Sequence, residues 1–287
     1  MSYFILDREF AIRLVFFLGI LLIMAVWEMV SPRRVLTSSK KLRWFSNLGI
    51  SLIDTLTVRL LLSITAVGMA FFVEKHKWGL LNNLDLPGWT QIVFGVMSLD
   101  LAIYLQHVLF HSVPAFWRLH MVHHSDMDFD VTTGVRFHPI EILLSMWIKI
   151  GVVAVMGASA MAVLIFEVIL NADSMFNHGN VRIPASLDKI LRFFIVTPEM
   201  HRIHHSVVTE ETNSNFGFNL TWWDRFLGTY RSEPVGGHEG MIIGLNQFRN
   251  PKRLTLPWLL ILPFISRTSR CPISDSGETQ IRNTALT

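Results

Sequence analysis

Long apolar runs constrain this 287-residue chain more than any other feature. Three of them cover about 14–30, 48–73 and 92–110, and each is long enough to cross a roughly 30 Å hydrocarbon core as a helix. Only 16% of the residues are charged, whereas a soluble domain has roughly a quarter. The first run has no small-residue cleavage site after it, which favours a retained membrane helix over a signal peptide. These features predict an all-α integral membrane protein.

A fourth apolar segment, Ile140–Leu170, is too long for one crossing. Gly151, or Gly157 with the small residues after it, could provide a bend. The segment therefore predicts a tight helical hairpin that enters and leaves on the same side, and one long tilted helix is the alternative. If the hairpin arms are not counted separately, the chain has about four transmembrane helices.

Loop charges predict how these spans are oriented. Five basic residues lie between the first two runs: Arg33, Arg34, Lys40, Lys41 and Arg43. In the next loop, Glu74 and Asp85 offset the lysines. Because positive loops stay in the cytosol, the first loop is predicted to be cytosolic. With a hairpin at 140–170, all the clustered histidines described below then lie on the cytosolic face, in a helical cap. A single span there would divide them between the two sides.

No linker divides the chain, so we expect one membrane-embedded domain over residues 1–265. Leu256–Ile265 is too short to span and contains two prolines, which predicts an interfacial or packed segment. Residues 266–287 are rich in Ser, Thr and Arg and are predicted to be disordered. The net charge is +3, but no basic stripe with interleaved aromatics is present, so no nucleic-acid partner is expected.

Histidines are concentrated in one part of the chain, because only His76 and His238 of the twelve lie outside 107–205. Eight of the others form three sets spaced i, i+4 or i, i+3, i+4, which places each set on one face of a helix. The sets are His107 and His111; His120, His123 and His124; and His201, His204 and His205. Two metal ions with about four nitrogen ligands each would use all eight. Isolated histidines such as His76 and His238 are interpreted as ordinary surface or core residues.

Further polar residues near these sets are candidate ligands or residues that orient one. His178 is a possible ninth ligand, and His138 is either a further ligand or a marker of the helix start before Pro139. Asp100 and Tyr104 continue the face of His107 on the third span. An intramembrane carboxylate is costly, so Asp100 either bonds to a histidine of another segment, faces a polar cavity or pairs with Arg59. Other carboxylate candidates are Glu141, Glu199 and Asp224.

The order of the histidine sets resembles that of the fatty acid hydroxylase and sterol desaturase superfamily. Its signature blocks are similar to 117–125, 136–141 and 197–206, and later blocks to 215–217 and 223–230, so the family-like core runs over about 92–231. The chain departs from the family's pattern at Val108, where an arginine is common. The resemblance implies a membrane-embedded helical scaffold, two metal ions taken to be iron, O2 as co-substrate and an electron donor.

These observations predict a membrane-bound di-iron oxygenase that hydroxylates a lipid taken from the bilayer. The substrate classes in the superfamily are fatty acyl, sterol, carotenoid and alkylglycerol-type lipids, and a desaturase using the same site is the main alternative. No dinucleotide fingerprint or haem domain is evident in the sequence, so a separate protein is expected to supply electrons. Zinc could replace iron in a purified sample. A metal transporter and a haem-binding electron carrier fit less well, because the clusters lie at one interface and come as triplets on one face.

Overall fold

The computed structural model describes residues 8–265, and every regular element in this range is a helix. The expected disorder of residues 266–287 lies outside the described residues. Within the described range, β pairing is limited to isolated bridges such as Ile195 with Leu220. Five segments are long and apolar enough to cross a membrane. The predicted all-α, multi-pass membrane protein is therefore confirmed.

Thirteen α-helices follow one another in the described part of the chain. They are α1 Glu9–Val30, α2 Lys40–Leu61, α3 Ala66–His76, α4 Gly88–Ser112, α5 Pro114–His124, α6 Pro139–Met156, α7 Ala160–Asn177, α8 Ala185–Leu191, α9 Pro198–His204, α10 Thr209–Thr212, α11 Trp222–Phe226, α12 Gly237–Gly240 and α13 Leu256–Ile265. Single 3₁₀ turns lie at Leu81–Asn83, Thr133–Val135 and Pro251–Arg253. The long helices come first and the short helices of the cap follow α7, as predicted.

The predicted hairpin at 140–170 is confirmed as α6 and α7. Gly157 ends α6 with a left-handed φ of 69°, and the Ser159 side chain accepts a hydrogen bond from the amide of Ala162 at the start of α7. A left-handed residue followed by a serine cap stops one helix and starts the next within three residues. The two arms are therefore separate helices.

The prediction of one helix over 48–73 is wrong, because this run consists of α2 and α3 with a break between them. Leu62 adopts an extended backbone after α2, and Thr65 caps α3 by accepting a hydrogen bond from the amide of Gly68. Apolarity continues through the break, so hydropathy alone did not reveal the new cap. The two helices together still form one candidate spanning segment, 40–83.

Helix α4 lies at the centre of the bundle. It packs against α6 and α7, which also contact α3, and α1 covers the outside of α7. The shared core includes Leu99, Ile103, Ile150 and Phe166, all buried. The terminal helix α13 packs against α2 and α5 through Leu259, which confirms the prediction of a packed segment for 256–265.

The turn at the hairpin tip depends on a close approach between two glycines. Gly79 has a φ of 90°, and a Cβ atom there would lie 2.3 Å from the backbone nitrogen of Gly157. The neighbouring amide of Leu80 donates a 3.0 Å hydrogen bond to the carbonyl of Val155. This backbone contact joins the loop after α3 to the end of α6.

We expect Gly79→Ala to lower the free energy of unfolding by roughly 2–4 kcal/mol, because the methyl group collides with backbone and the φ is unfavourable for alanine. Gly151→Ala is the matched control, since no heavy atom lies within 4 Å of its would-be Cβ and alanine stabilises a helix interior by about 0.5–1 kcal/mol. Unfolding in detergent micelles, followed by circular dichroism, measures both. Equal stability of the two variants would contradict the proposed contact.

Candidate metal centre

The nine histidines of the three sets and His178 converge in two adjacent, fully buried groups. In each group one side-chain nitrogen per residue lies within 4.8 Å of those of the others. The first group comprises His107, His111, His120, His124 and His204, and the second comprises His123, His178, His201 and His205. The two groups adjoin, because the rings of His124 and His205 stack at a centroid distance of 4.5 Å.

Four helix ends bring these rings together. His107 and His111 lie in the last turns of α4, and the second set lies at the end of α5, which begins at Pro114 directly after α4. The third set lies on α9 and its C-cap, where Thr197 caps the helix and Pro198 occupies its first position. His178 is the C-cap of α7. Proline at a helix start and a threonine cap are favourable, so the local sequence fixes where each histidine set begins.

The distances between the inner nitrogens are short and repeated. The Nε2 atoms of His107 and His120, and those of His111 and His124, are 3.1 Å apart. The Nε2 atom of His178 lies 3.1 to 3.2 Å from those of His123, His201 and His205. One imidazole nitrogen carries either a proton or a lone pair, so it cannot hydrogen-bond with three nitrogens at once.

The outer nitrogens of several rings are held by oxygen atoms. Five Nδ1 atoms contact an acceptor: His107 contacts the carbonyl of Phe216 at 2.8 Å, His120 contacts Glu141 at 2.6 Å, His123 contacts the carbonyl of Arg136 at 3.3 Å, His178 contacts the carbonyl of Ser174 at 2.7 Å and His204 contacts the carbonyl of Ser214 at 2.8 Å. A carbonyl only accepts, so Nδ1 carries the proton and the opposite Nε2 presents its lone pair to the centre.

Burial keeps these imidazoles neutral at physiological pH. It lowers the pKa of His120 and of His178 to about 3. Burial and then the neighbouring imidazoles hold the pKa of His124, His204 and His205 well below the usual value. A neutral imidazole is the form that ligates a metal.

The donor set fits metal ions. Two nitrogens bound to one ion at about 2.0–2.1 Å lie roughly 3 Å apart, which is the separation observed between the Nε2 atoms. The Nε2 atom of His204 is buried without a hydrogen-bond partner among the described residues, and such an atom in a dense cluster calls for an ion. The histidine clusters can therefore hold metal ions, although an all-nitrogen set suits iron, zinc, copper and nickel alike.

A buried ion-pair network fixes the loop that follows the second histidine set. Arg43 on α2 forms two hydrogen bonds with Asp126, at 2.8 and 2.9 Å, and a third with Asp130 at 2.5 Å. Arg136 donates to the carbonyl of Val122 and to Ser125, on the turn that carries His123 and His124. The sequence reasoning read Arg43 only as a topology signal and did not consider Asp126.

Three predicted residues lie near the site without belonging to either histidine group. Asp100 accepts a 2.8 Å hydrogen bond from the indole of Trp223, so the expected bonds to a histidine or to Arg59 are both wrong. Tyr104 contacts the hydroxyl of Thr229 at 2.8 Å. Asp224 accepts from that hydroxyl and from the amides of Phe216 and Gly217. Burial raises the pKa of Asp224 to about 6. Asp224 thus holds the backbone at Phe216, and the carbonyl of Phe216 contacts the Nδ1 atom of His107.

His138 and Glu199 also lie outside the groups. His138 caps α6 by accepting from the amide of Ile140, and its Nε2 contacts the carbonyl of Leu260. Glu199 pairs with Arg33 at 2.6 Å, Arg202 at 3.0 Å and His238 at 2.9 Å. Although burial opposes it, this pairing holds the pKa of Glu199 well below its usual range. The alternative interpretation of His138 as a helix-start residue is therefore supported.

The fold and the site together define a multi-pass membrane protein with a buried, histidine-lined double centre. The family model described as fatty acid hydroxylase matches residues 92–229. The chain is 31% identical to ornithine lipid hydroxylase OlsE of Rhizobium tropici over 59% of its own length and 49% of that protein. The predicted resemblance is thus confirmed: residues 92–229 are similar to the fatty acid hydroxylase family and to named lipid hydroxylases.

Two other similar proteins are named for different lipids. Identity is 27% to human alkylglycerol monooxygenase, over 55% of this chain and 33% of that protein. It is 27% to human cholesterol 25-hydroxylase, over 50% of this chain and 52% of that protein. The matched region therefore spans about half or less of these relatives. No solved structure matches the chain significantly.

We expect Glu141→Gln to weaken metal affinity about 10- to 100-fold, because the carboxylate that accepts the His120 Nδ1 proton is lost. Glu210→Gln, at an exposed position of the cap, is the control. Competition with a chelator of known affinity gives the dissociation constant of each variant. Unchanged affinity in Glu141→Gln would exclude this orienting role.

We expect Arg43→Gln to lower the free energy of unfolding by about 3–5 kcal/mol, since it removes the buried guanidinium that pairs with both Asp126 and Asp130. The adjacent Lys41 is exposed, so Lys41→Gln should change stability by less than about 0.5 kcal/mol. Thermal unfolding in the same detergent compares them. If both variants unfold alike, the buried network does not stabilise the loop.

Proposed function

We propose that the chain is an oxidoreductase, an O2-dependent oxygenase that uses two iron ions to hydroxylate a C–H bond of a membrane lipid. The observation that carries this proposal is the convergence of nine neutral imidazoles on two adjacent centres at one end of a membrane-spanning bundle. Two iron ions held there would supply reductive activation of O2, which is the chemistry that an unactivated C–H bond requires. The relatives support the reaction class, because their names describe hydroxylases and monooxygenases.

The chain's own residues would hold the ions and keep water away. His107, His111, His120, His124 and His204 would ligate one ion, and His123, His178, His201 and His205 the other. Every one of these residues is at most 2% exposed. Catalysis in a site closed to water depends on polar groups in fixed positions. The carbonyls and Glu141 would contribute by holding the imidazole rings in the orientation that metal ligation requires.

The proposed substrate is a lipid that enters from the bilayer. Three relatives are named for an ornithine lipid, an alkylglycerol and cholesterol, which are unlike in headgroup and alike in a large apolar part. The helices beside the site expose apolar side chains such as Leu105 and Leu109 of α4. A lipid can therefore approach the His107 end of α4 laterally.

The orientation and the electron donor are further parts of the proposal. Arg33 and Arg34, between α1 and α2, and Lys41, in the first turn of α2, lie at the histidine end of the bundle. Under the rule that positive loops stay inside, this end faces the cytosol. A separate cytosolic or membrane-bound protein would then deliver electrons to the same side.

The first test of the proposal is metal content. The chain purified in detergent should contain about two metal ions, as the two histidine groups require. His123→Ala and His204→Ala, one in each group, should each lose metal, and His238→Ala, which lies outside both groups, should keep it. Elemental mass spectrometry measures the ions per chain. Absence of metal, or equal metal in all variants, would overturn the assignment. Zinc in place of iron would not, provided that the histidine variants lose it.

The second test follows oxygen into the product. The iron-loaded chain, a chemical or protein reductant and a mixed membrane-lipid extract are incubated under ¹⁸O₂. We expect one ¹⁸O atom in a hydroxylated lipid, absent when His123→Ala replaces the native chain. A new double bond without ¹⁸O would establish the desaturase alternative. Product unchanged in the histidine variant would exclude this site from catalysis.

A further inference from the structure

Six large apolar side chains are exposed on one part of the cap, although no helix long enough to span lies there. They come from α8, the turn after it and the end of α11, and are between 47% and 76% exposed: Leu187, Ile190, Phe193, Phe194, Phe226 and Leu227. We call this set the α8–α11 surface. Soluble surfaces rarely expose so many large apolar residues together, so such a patch marks an interaction site.

The segments that carry this surface are joined to each other. The indole of Trp222 donates to the carbonyl of Phe193, and the guanidinium of Arg225 donates to the carbonyl of Arg192. The amide of Val196 donates to the carbonyl of Asn219. The six side chains therefore belong to one rigid unit.

A hydrogen bond fixes the position of this unit along the spanning helix α4. The indole of Trp223, on α11, donates to Asp100, which lies at the midpoint of the 25-residue helix α4. Asp100 lies seven residues before His107, which is about 10.5 Å along the helix axis and farther from the histidine end of α4. Tyr104, one turn nearer the histidines, contacts Thr229. The stretch from Trp223 to Thr229 therefore runs beside the middle of a spanning helix and not above its end.

The charges around the surface fit a lipid headgroup region. Lys189 on α8 and Arg225 on α11 are exposed. The Arg225 guanidinium lies 4.1 Å from the ring centroid of Tyr230 and 5.1 Å from that of Phe193. Basic residues beside phenylalanine and leucine characterise segments that lie in a membrane interface, and Trp and Tyr are enriched at the same level.

We propose that the α8–α11 surface is immersed in the lipid leaflet on the histidine side. The six apolar side chains contact acyl chains, and Lys189 and Arg225 contact lipid phosphates. This part of the cap then lies within the lipid leaflet. The proposal rests on membrane insertion of the bundle and is independent of the metal and the reaction.

Site-directed spin labelling tests this depth. In a Cys271→Ser background, Phe226→Cys and, separately, Phe193→Cys are labelled with a nitroxide, and the full chain is reconstituted into phosphatidylcholine and phosphatidylglycerol vesicles. Leu22→Cys on α1, which is 65% exposed, is the lipid-facing control, and Val235→Cys in the cap, which is 80% exposed, is the water-facing control. Power saturation measures the accessibility of each label to O2 and to a water-soluble nickel chelate.

We expect the ratio of O2 to nickel accessibility at both test positions to match that of Leu22→Cys and to exceed that of Val235→Cys several-fold. A ratio equal to that of Val235→Cys would overturn the proposal, because the surface would then face water. Low access of both reagents would also overturn it, since a second copy of the chain or another protein segment would cover the surface. The two test positions guard against a single label that disturbs folding.

Discussion

Nine imidazole rings pack into one dry core only if each stays neutral and turns the same nitrogen inward. Protonated rings would repel one another across distances of 3.1 to 3.2 Å between Nε2 atoms. Neutral rings also carry a proton on the outer nitrogen, and five of the nine Nδ1 atoms contact an acceptor, four of them a carbonyl and one a carboxylate. The Nδ1 atoms of His111, His201 and His205 are buried without a hydrogen-bond partner among the described residues. The cap supplies two of these acceptors: Ser214 and Phe216 are loop residues whose backbone oxygens contact the rings of His204 and His107.

The need to hold the imidazole rings in one orientation also explains the buried charges around the site. A loop that presents Arg136 and its neighbours to the histidines cannot rely on apolar packing, because its own backbone and side chains are polar. Arg43 and Asp126 form a two-bond ion pair that ties this loop to α2. Buried pairs contribute little net stability, yet they fix geometry. We infer that the network serves to hold the second histidine set in register with the first.

Sequence reasoning predicted the histidine sets, the hairpin and the helix start at Pro139 because each depends on residues close together in the chain. Spacing placed His120, His123 and His124 on one face, and Pro139 marked the start of α6. It could not predict partners from distant segments. Asp100 was expected to bond to a histidine of another segment, to face a polar cavity or to pair with Arg59, whereas its partner, Trp223, lies on α11, 123 residues later. Arg43 was read as one of five basic residues that set the orientation in the membrane, and only the fold shows it buried against Asp126.

One segment of the cap serves both the site and the proposed lipid contact. Residues 216–229 begin where the carbonyl of Phe216 holds His107, reach Asp100 through Trp223 and return to Tyr104 through Thr229. Asp224 closes this loop by accepting from the amides of Phe216 and Gly217. Because the exposed Phe226 lies in the same segment, a displacement of the α8–α11 surface would reach the Phe216 carbonyl that contacts His107 through the hydrogen bonds of Asp224. If the α8–α11 surface lies in lipid as proposed, the packing of that lipid would bear on the backbone that orients His107.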